Sequence, residues 1–238
     1  MPQIGIGFDF DHTLGTDYGL ERQAFIDLGR EYGSVVDPHD DNVKATIERI
    51  LVAFRSDETT LDEAVSEFLD AFGIASPRDG RVAGERYRQL CYGLVPRVKP
   101  ITGAQALLAE LERRAIPFAI LTNGWSPLQE KKIAAIGYAG RVLVSDRIGY
   151  LKPAPQAFER LSETLEVSAN RCWYVGDNPR ADIGGALAAG MRAIWLDLGE
   201  HGYPSDVPPP SLRITSLEAL IDELPAFVAL AEGTDGLA

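Results

Sequence analysis

The sequence predicts an α/β fold, a parallel sheet flanked by helices and interrupted near its start by an all-helical insertion. Short apolar runs such as Ile4–Phe8, Pro117–Leu121 and Trp173–Val175 have the length of buried parallel strands. Helical patterns lie between the later runs at the spacing of βαβ units. From about Tyr18 to Tyr92 no convincing strand appears, and apolar residues recur at spacings of three and four instead.

The first strand ends at Asp9, and the polar cluster Asp9–Asp17 reads as a loop. Leu20, Ala24 and Leu28 mark a first helix; Val43, Ile47, Ile50 and Phe54 a second; Leu61, Val65, Phe68 and Phe72 a third. Asp40 or Asp41 is a suitable N-cap for the second, and Thr59 or Thr60 for the third. Pro96 and Pro100 punctuate the return to the α/β pattern. Thr102 can cap a helix carrying Leu107, Leu108 and Leu111. A strand at 117–121 follows, then a helix over about 127–136 and a strand at 142–144. Ala157–Leu165 is helical, Trp173–Val175 is a strand, Ile183–Ala189 is a helix stopped by Gly190, and Ala193–Leu196 is a further strand. The expected division is 1–16 with 97–231 for the α/β part and 17–96 for the helical insertion. The small polar tail from Glu232 is expected to fray.

The length of 238 residues suits one large domain carrying a smaller inserted one. With 35 acidic against 23 basic residues the net charge is −12, which argues against a broad basic surface for a nucleic-acid polymer or an anionic membrane. A small anion is not excluded, because a metal ion and one or two cations can reverse the sign of a pocket. No apolar run is long enough to span a membrane. Met1–Phe10 has neither a basic region nor a small-residue cleavage site, so no signal peptide is expected there. Cys91 and Cys172 lack metal-ligand spacing and read as buried free thiols of a reducing compartment, although the sequence leaves a disulfide between them open. The expected location is cytoplasmic.

The polar residues of interest follow strands. In Asp9-Phe10-Asp11-His12-Thr13, extended backbone would turn both carboxylates to one side. Close carboxylates repel, so a cation or a shared proton is needed. A magnesium ion on one would leave the other free to carry a proton. The same string also reads as a polar turn ending a strand. Thr122-Asn123-Gly124 offers a hydroxyl and successive N–H groups to an oxyanion, or is an ordinary strand-to-helix turn. Lys152, ahead of Pro153 and a helix, could meet an anion with that helix N-terminus, or be a solvated surface lysine. Gly176-Asp177 ends another strand, and Asp182 at a helix start is either a metal neighbour or a cap. Delivery of all these residues to the carboxyl edge of one sheet, where ligands of open α/β sheets bind, is the stronger argument.

Taken together, the D-x-D-x-T string at 9–13, strand-end Thr122, Lys152 followed by proline, and the G-D-x-x-x-x-D string at 176–182 resemble the haloacid dehalogenase-like (HAD) hydrolase superfamily. The order and intervals fit over nearly the whole chain. The resemblance implies a Rossmann-like core with a helical cap domain inserted after the first motif. It implies that Asp9 is a nucleophile forming an aspartyl-phosphate and that Asp11 is the general acid/base. Thr122 and Lys152 would stabilise the transferring phosphoryl group. Mg2+ would be the cofactor, its site built from Asp9, the backbone carbonyl of Asp11, Asp177 and, through orientation of the shell, Asp182. Asn123, Gly124, Trp125 and His12 are the candidate phosphate- or substrate-binding residues. Many relatives carry glycine where His12 stands; its ring either points to solvent or meets the leaving group. The stretch from Thr122 through Trp125, with Gln129 and Lys132 after it, is similar to nucleotidase and sugar-phosphate phosphatase relatives.

The expected activity is therefore hydrolysis of a small phosphorylated metabolite, a nucleoside monophosphate or a sugar phosphate, by a monomer or homodimer. A sugar-phosphate mutase would keep the same residues. A 2-haloacid dehalogenase would need neither Asp11 nor magnesium, and phosphonate hydrolysis would need a cap lysine, for which Lys44 is poorly suited. A non-enzymatic scaffold would not need the complete acidic set.

Overall fold

The computed structural model describes residues 4–34, 36–56, 58–75, 80–199 and 202–234. The chain divides into two compact units, Met1–Thr16 with Lys99–Ala238, and Asp17–Val98.

The first unit begins with β1 (Gly5–Phe8) and the short β2 (Gly15–Thr16). The second unit follows: α1 (Leu20–Glu31), α2 (Asp41–Arg55), α3 (Leu61–Ala71) and α4 (Gly80–Leu94). The Asp40 carboxylate accepts from the N–H groups of Asn42 and Val43 and caps α2. Thr60 and Glu63 form a reciprocal capping box on α3. Phe25, Phe68 and Tyr87 fill the centre, with ring centroids 4.8 and 4.4 Å apart around Phe25. Tyr87, and with it α4, is missed by the periodicity reading. Gly84 and Gly93 dilute the apolar signal of that helix.

Back in the first unit, β3 (Lys99–Pro100) pairs antiparallel with β2. Then come α5 (Ala104–Arg113), β4 (Phe118–Thr122), α6 (Leu128–Ala135), β5 (Val142–Val144), α7 (Ser145–Ile148), α8 (Pro155–Leu165) and β6 (Cys172–Gly176). A π-helical turn over Pro179–Gly184 runs into α9 (Gly185–Ala188), followed by β7 (Arg192–Leu196), β8 (Leu212–Ile214) and α10 (Leu217–Thr234). The helix after β3 starts on Gly103 at φ 85° with no side-chain cap, so Thr102 does not cap it. Helix α10 carries the backbone to Thr234, and residues 235–238 of the tail lie outside the described residues.

The six-stranded sheet has the order β5-β4-β1-β6-β7-β8, with parallel pairing throughout. It is a Rossmann-like α/β sheet. Phe158 and Leu161 of α8 pack on one face against Ala119, Tyr174 and Ala193. On the other face Phe227 of α10 stacks on Trp173 at 4.0 Å. Both faces are thus covered, which is why the strands read as continuous apolar runs. A Cβ on Gly7 would stand 2.3 Å from Leu161 Cδ2, so glycine there lets α8 press onto β1. β1 lies where the strand order reverses, and the crevice beyond its carboxyl end is the switch point of the sheet. Among the described residues, no helix is long and apolar enough to cross a membrane. Cys91 and Cys172 are buried and not joined in a disulfide.

Candidate active site

Three adjacent strands end at the switch point: β1 ahead of Asp9, β4 at Thr122 and β6 ahead of Asp177. The Asp9 N–H donates to the Val175 carbonyl at 2.9 Å, extending the β1–β6 ladder one residue into the site. The chain then turns sharply, because the Phe10 carbonyl accepts from the N–H groups of Thr13, Leu14 and Gly15. That turn separates Asp9 from Asp11.

Asp9 is buried, and its Oδ1 meets Lys152 Nζ at 2.7 Å. The same ammonium donates to Asp182 Oδ1 at 2.7 Å and to Tyr174 Oη at 2.9 Å. Each of its three N–H bonds has an acceptor. Burial opposes the charge on Lys152, but Asp182 and Asp9 outweigh it and hold the ammonium well above its ordinary range. Tyr174 Oη donates in turn to the Leu121 carbonyl at 2.7 Å. Asp182 Oδ2 accepts from the Asn178 N–H at 2.9 Å. A Cβ on Gly176 would stand 2.3 Å from that same oxygen, so glycine at the end of β6 makes room for Asp182.

Carboxylate oxygens of Asp9, Asp177 and Asp182 lie within 4.8 Å of one another. They are hard oxygen donors of the kind magnesium takes. Three carboxylates around the single Lys152 ammonium leave excess negative charge in a buried place. Burial, Asp9 and Asp182 push Asp177 up to about 8. Burial also raises Asp9 to about 6, with Lys152 opposing. A divalent cation would relieve this repulsion, and the donor set fits one. Asp177 is further fixed by Thr13 Oγ1, which donates to its Oδ1 at 3.3 Å, and by the Trp195 indole N–H, which donates to its carbonyl at 3.0 Å.

A family model described as "haloacid dehalogenase-like hydrolase" matches residues 5–190. The chain belongs to the haloacid dehalogenase-like hydrolases. It is similar to the phosphoserine phosphatase of Thermus thermophilus, with 32% identity over 88% of this chain and 94% of that protein. It is also similar to the pyrimidine 5'-nucleotidase PynA of Streptococcus pneumoniae, with 25% identity over 90% and 92%. Its fold is that of the HAD-hydrolase YfnB from Bacillus subtilis, solved bound to magnesium, with a TM-score of 0.72 and 24% identity over 94% of this chain and all of that one.

Within this haloacid dehalogenase-like chain the expected site residues divide. Asp9, Lys152, Asp177 and Asp182 converge, with Thr122 buried at the neighbouring strand end. Lys152 is 5% exposed, so it is not a solvated surface lysine. Helix α8 begins three residues beyond it, at Pro155, and the structure pairs the ammonium with Asp9 and Asp182. Asp182 does not cap the following turn; Asn178 does, accepting from the N–H groups of Arg180 and Ala181. Both Asp182 oxygens are hydrogen-bonded, to Lys152 and to the Asn178 N–H, and its carboxylate lies within the acidic cluster. The Asp11 side chain turns away from the carboxylate cluster. Its Oδ1 meets Lys132 Nζ at 2.5 Å, and its Oδ2 accepts from Gln129 Nε2 at 2.9 Å.

The candidate substrate-binding residues fare differently. The Asn123 amide is engaged on both sides by the backbone of Lys152, accepting from its N–H at 2.8 Å and donating to its carbonyl at 2.9 Å. The Gly124 N–H donates to Ser145 Oγ at 3.0 Å. Both therefore shape the loops that carry Thr122 and Lys152. Trp125 is buried, so most of the ring offered as a stacking surface is covered. His12 is exposed and sits at φ 60°, the left-handed region that favours glycine. Tyr174 was invisible as a site residue, because in sequence it is one more aromatic in a buried strand. Gln129 and Lys132 carried a signal: they stand three apart on α6 and so share one helix face.

Proposed function

We propose that this chain is a Mg2+-dependent phosphomonoester hydrolase that acts on a small phosphorylated metabolite through an aspartyl-phosphate on Asp9. The observation that carries the reading is the pairing of Asp9 with the buried Lys152 beside Asp177, with Asp11 one turn of chain away. Relatives named as a phosphoserine phosphatase and a pyrimidine 5'-nucleotidase support the reaction class. In this reading residues 17–96 select the substrate, and two cysteines not joined in a disulfide fit the cytoplasm.

Lys152 holds Oδ1 of Asp9, which orients the carboxylate so that Oδ2 attacks phosphorus. The bond from phosphorus to the leaving oxygen breaks, and Asp11 gives that oxygen a proton. Asp11 then takes a proton from water as the water attacks phosphorus, which frees phosphate and restores Asp9. The Thr122 hydroxyl and the Lys152 ammonium offer donors to the phosphoryl oxygens. Asp9 and Asp177, with the Asp11 carbonyl, would hold Mg2+, which when bound neutralises developing charge on the phosphoryl group.

The test is phosphate release from a panel of phosphoserine, nucleoside 5'-monophosphates, sugar phosphates and p-nitrophenyl phosphate, with magnesium and with EDTA. Magnesium-dependent release that Asp9→Asn abolishes is expected. No release from any member would sink the reading.

A further inference from the structure

We infer that Gln129 and Lys132 of α6 are positioning residues that hold the acid/base Asp11, an assignment that rests on the proposed hydrolysis and deepens it. Lys132 is an oddity for a helix facing a core. It is 2% exposed, although a lysine is almost never buried unless it is paired. Its ammonium meets Asp11 Oδ1 at 2.5 Å and lies 5.7 Å from the centre of the Phe10 ring. Gln129, 3% exposed, sends its amide nitrogen to Asp11 Oδ2 at 2.9 Å, to Thr122 Oγ1 at 2.8 Å and to the Asn123 carbonyl at 3.0 Å. The two residues thus take one carboxylate oxygen each and fix the rotation of a side chain that is otherwise 31% exposed.

A carboxyl group that must deliver a proton to one leaving oxygen needs that rotation fixed. Gln129 also ties Asp11 to the strand-end hydroxyl of Thr122, so the proton donor and the phosphoryl-binding edge are held by one amide. Both residues meet the Asp11 carboxylate directly, so their effect should pass through Asp11.

Leaving-group dependence reads this out. An aryl leaving group such as p-nitrophenolate departs without a proton, whereas an alkoxide needs one. kcat/KM is measured for p-nitrophenyl phosphate and for the alkyl phosphomonoester that the wild type turns over fastest in the panel. Lys132→Met keeps the chain length and drops the charge; Gln129→Met keeps the shape and drops the donor. Each is expected to lower kcat/KM for the alkyl ester about 10- to 100-fold and for the aryl ester less than about 3-fold, a part of what acid/base catalysis contributes. In an Asp11→Asn background, either change should add less than about 2-fold, as expected for groups that act through one another.

Equal losses on both esters, or a full further loss in the Asp11→Asn background, would overturn the inference while leaving the hydrolase reading intact. Absence of any wild-type turnover would instead remove the hydrolase reading on which it stands. Because the ratio between two esters is insensitive to the fraction folded, partial misfolding of one variant does not mask the result.

Discussion

Each of the two motif aspartates has a buried lysine, and the two pairs are built differently. Lys152 reaches Asp9 from a loop and is locked by Asp182 and Tyr174, all in the buried layer beneath the strand ends. Lys132 reaches Asp11 from a helix, and the carboxylate that it holds is partly open to solvent. The contrast follows the chemistry proposed for each. A nucleophile needs one fixed direction of attack, and desolvation strengthens every charge that acts on it. A group that exchanges protons with a leaving oxygen and then with water needs orientation with access.

The sharpest way to break the comparison is at Asp9. Asp9→Asn should take phosphate release to the assay floor, a loss of about 10⁴-fold or more, as for other nucleophile deletions. Lys152→Met comes next. It strands the buried carboxylates of Asp9 and Asp182 and should destabilise the protein by about 3–5 kcal/mol in urea unfolding. If the loss in the unfolding midpoint is no greater than for Lys132→Met, the two lysines are not built differently after all.

Magnesium should act on the Asp9 side. With Asp9 raised to about 6 and Asp177 to about 8, the metal-free folded protein retains protons that the unfolded chain has lost between about pH 4 and pH 8. Its stability therefore falls as pH rises through that window. A cation replaces those protons, so the gain in thermal midpoint on adding magnesium should be larger at pH 8 than at pH 5.5 and vanish with EDTA. At a hundredfold excess over Kd the gain corresponds to about 2.7 kcal/mol. A gain independent of pH would place the ion elsewhere. The smallest effect is expected from Tyr174→Phe, which removes one acceptor of Lys152 and the bond to the Leu121 carbonyl. About 1–2 kcal/mol and a few-fold in kcat should be lost, with KM unchanged.

Legibility in the sequence followed burial and order. Strands β1, β4, β6 and β7 were readable because both sheet faces are covered, which turns each strand into an unbroken apolar run. β8 was not readable, being three residues at the sheet edge with Arg213 exposed in the middle. α10 was hidden by Pro225 inside it. In the site, residues that follow strands were legible because topology alone brings them to one edge. What partners them was not. Taken alone, Lys152 reads equally as a surface lysine, because its carboxylate partners are 143 and 30 residues away in the chain. Asn123 and Gly124 looked like anion binders because free N–H and amide groups in a turn are indistinguishable, in one dimension, from those already taken by another loop.

Gly7 sits one layer below all of this chemistry. Because the missing side chain lets Leu161 settle against β1, strand and helix meet there by aliphatic contact, two residues before Asp9. The spacing of β1 and α8 is thus gauged by hydrocarbon. A single methyl group at position 7 would act as a shim, widening the gap at a point where no polar atom is touched.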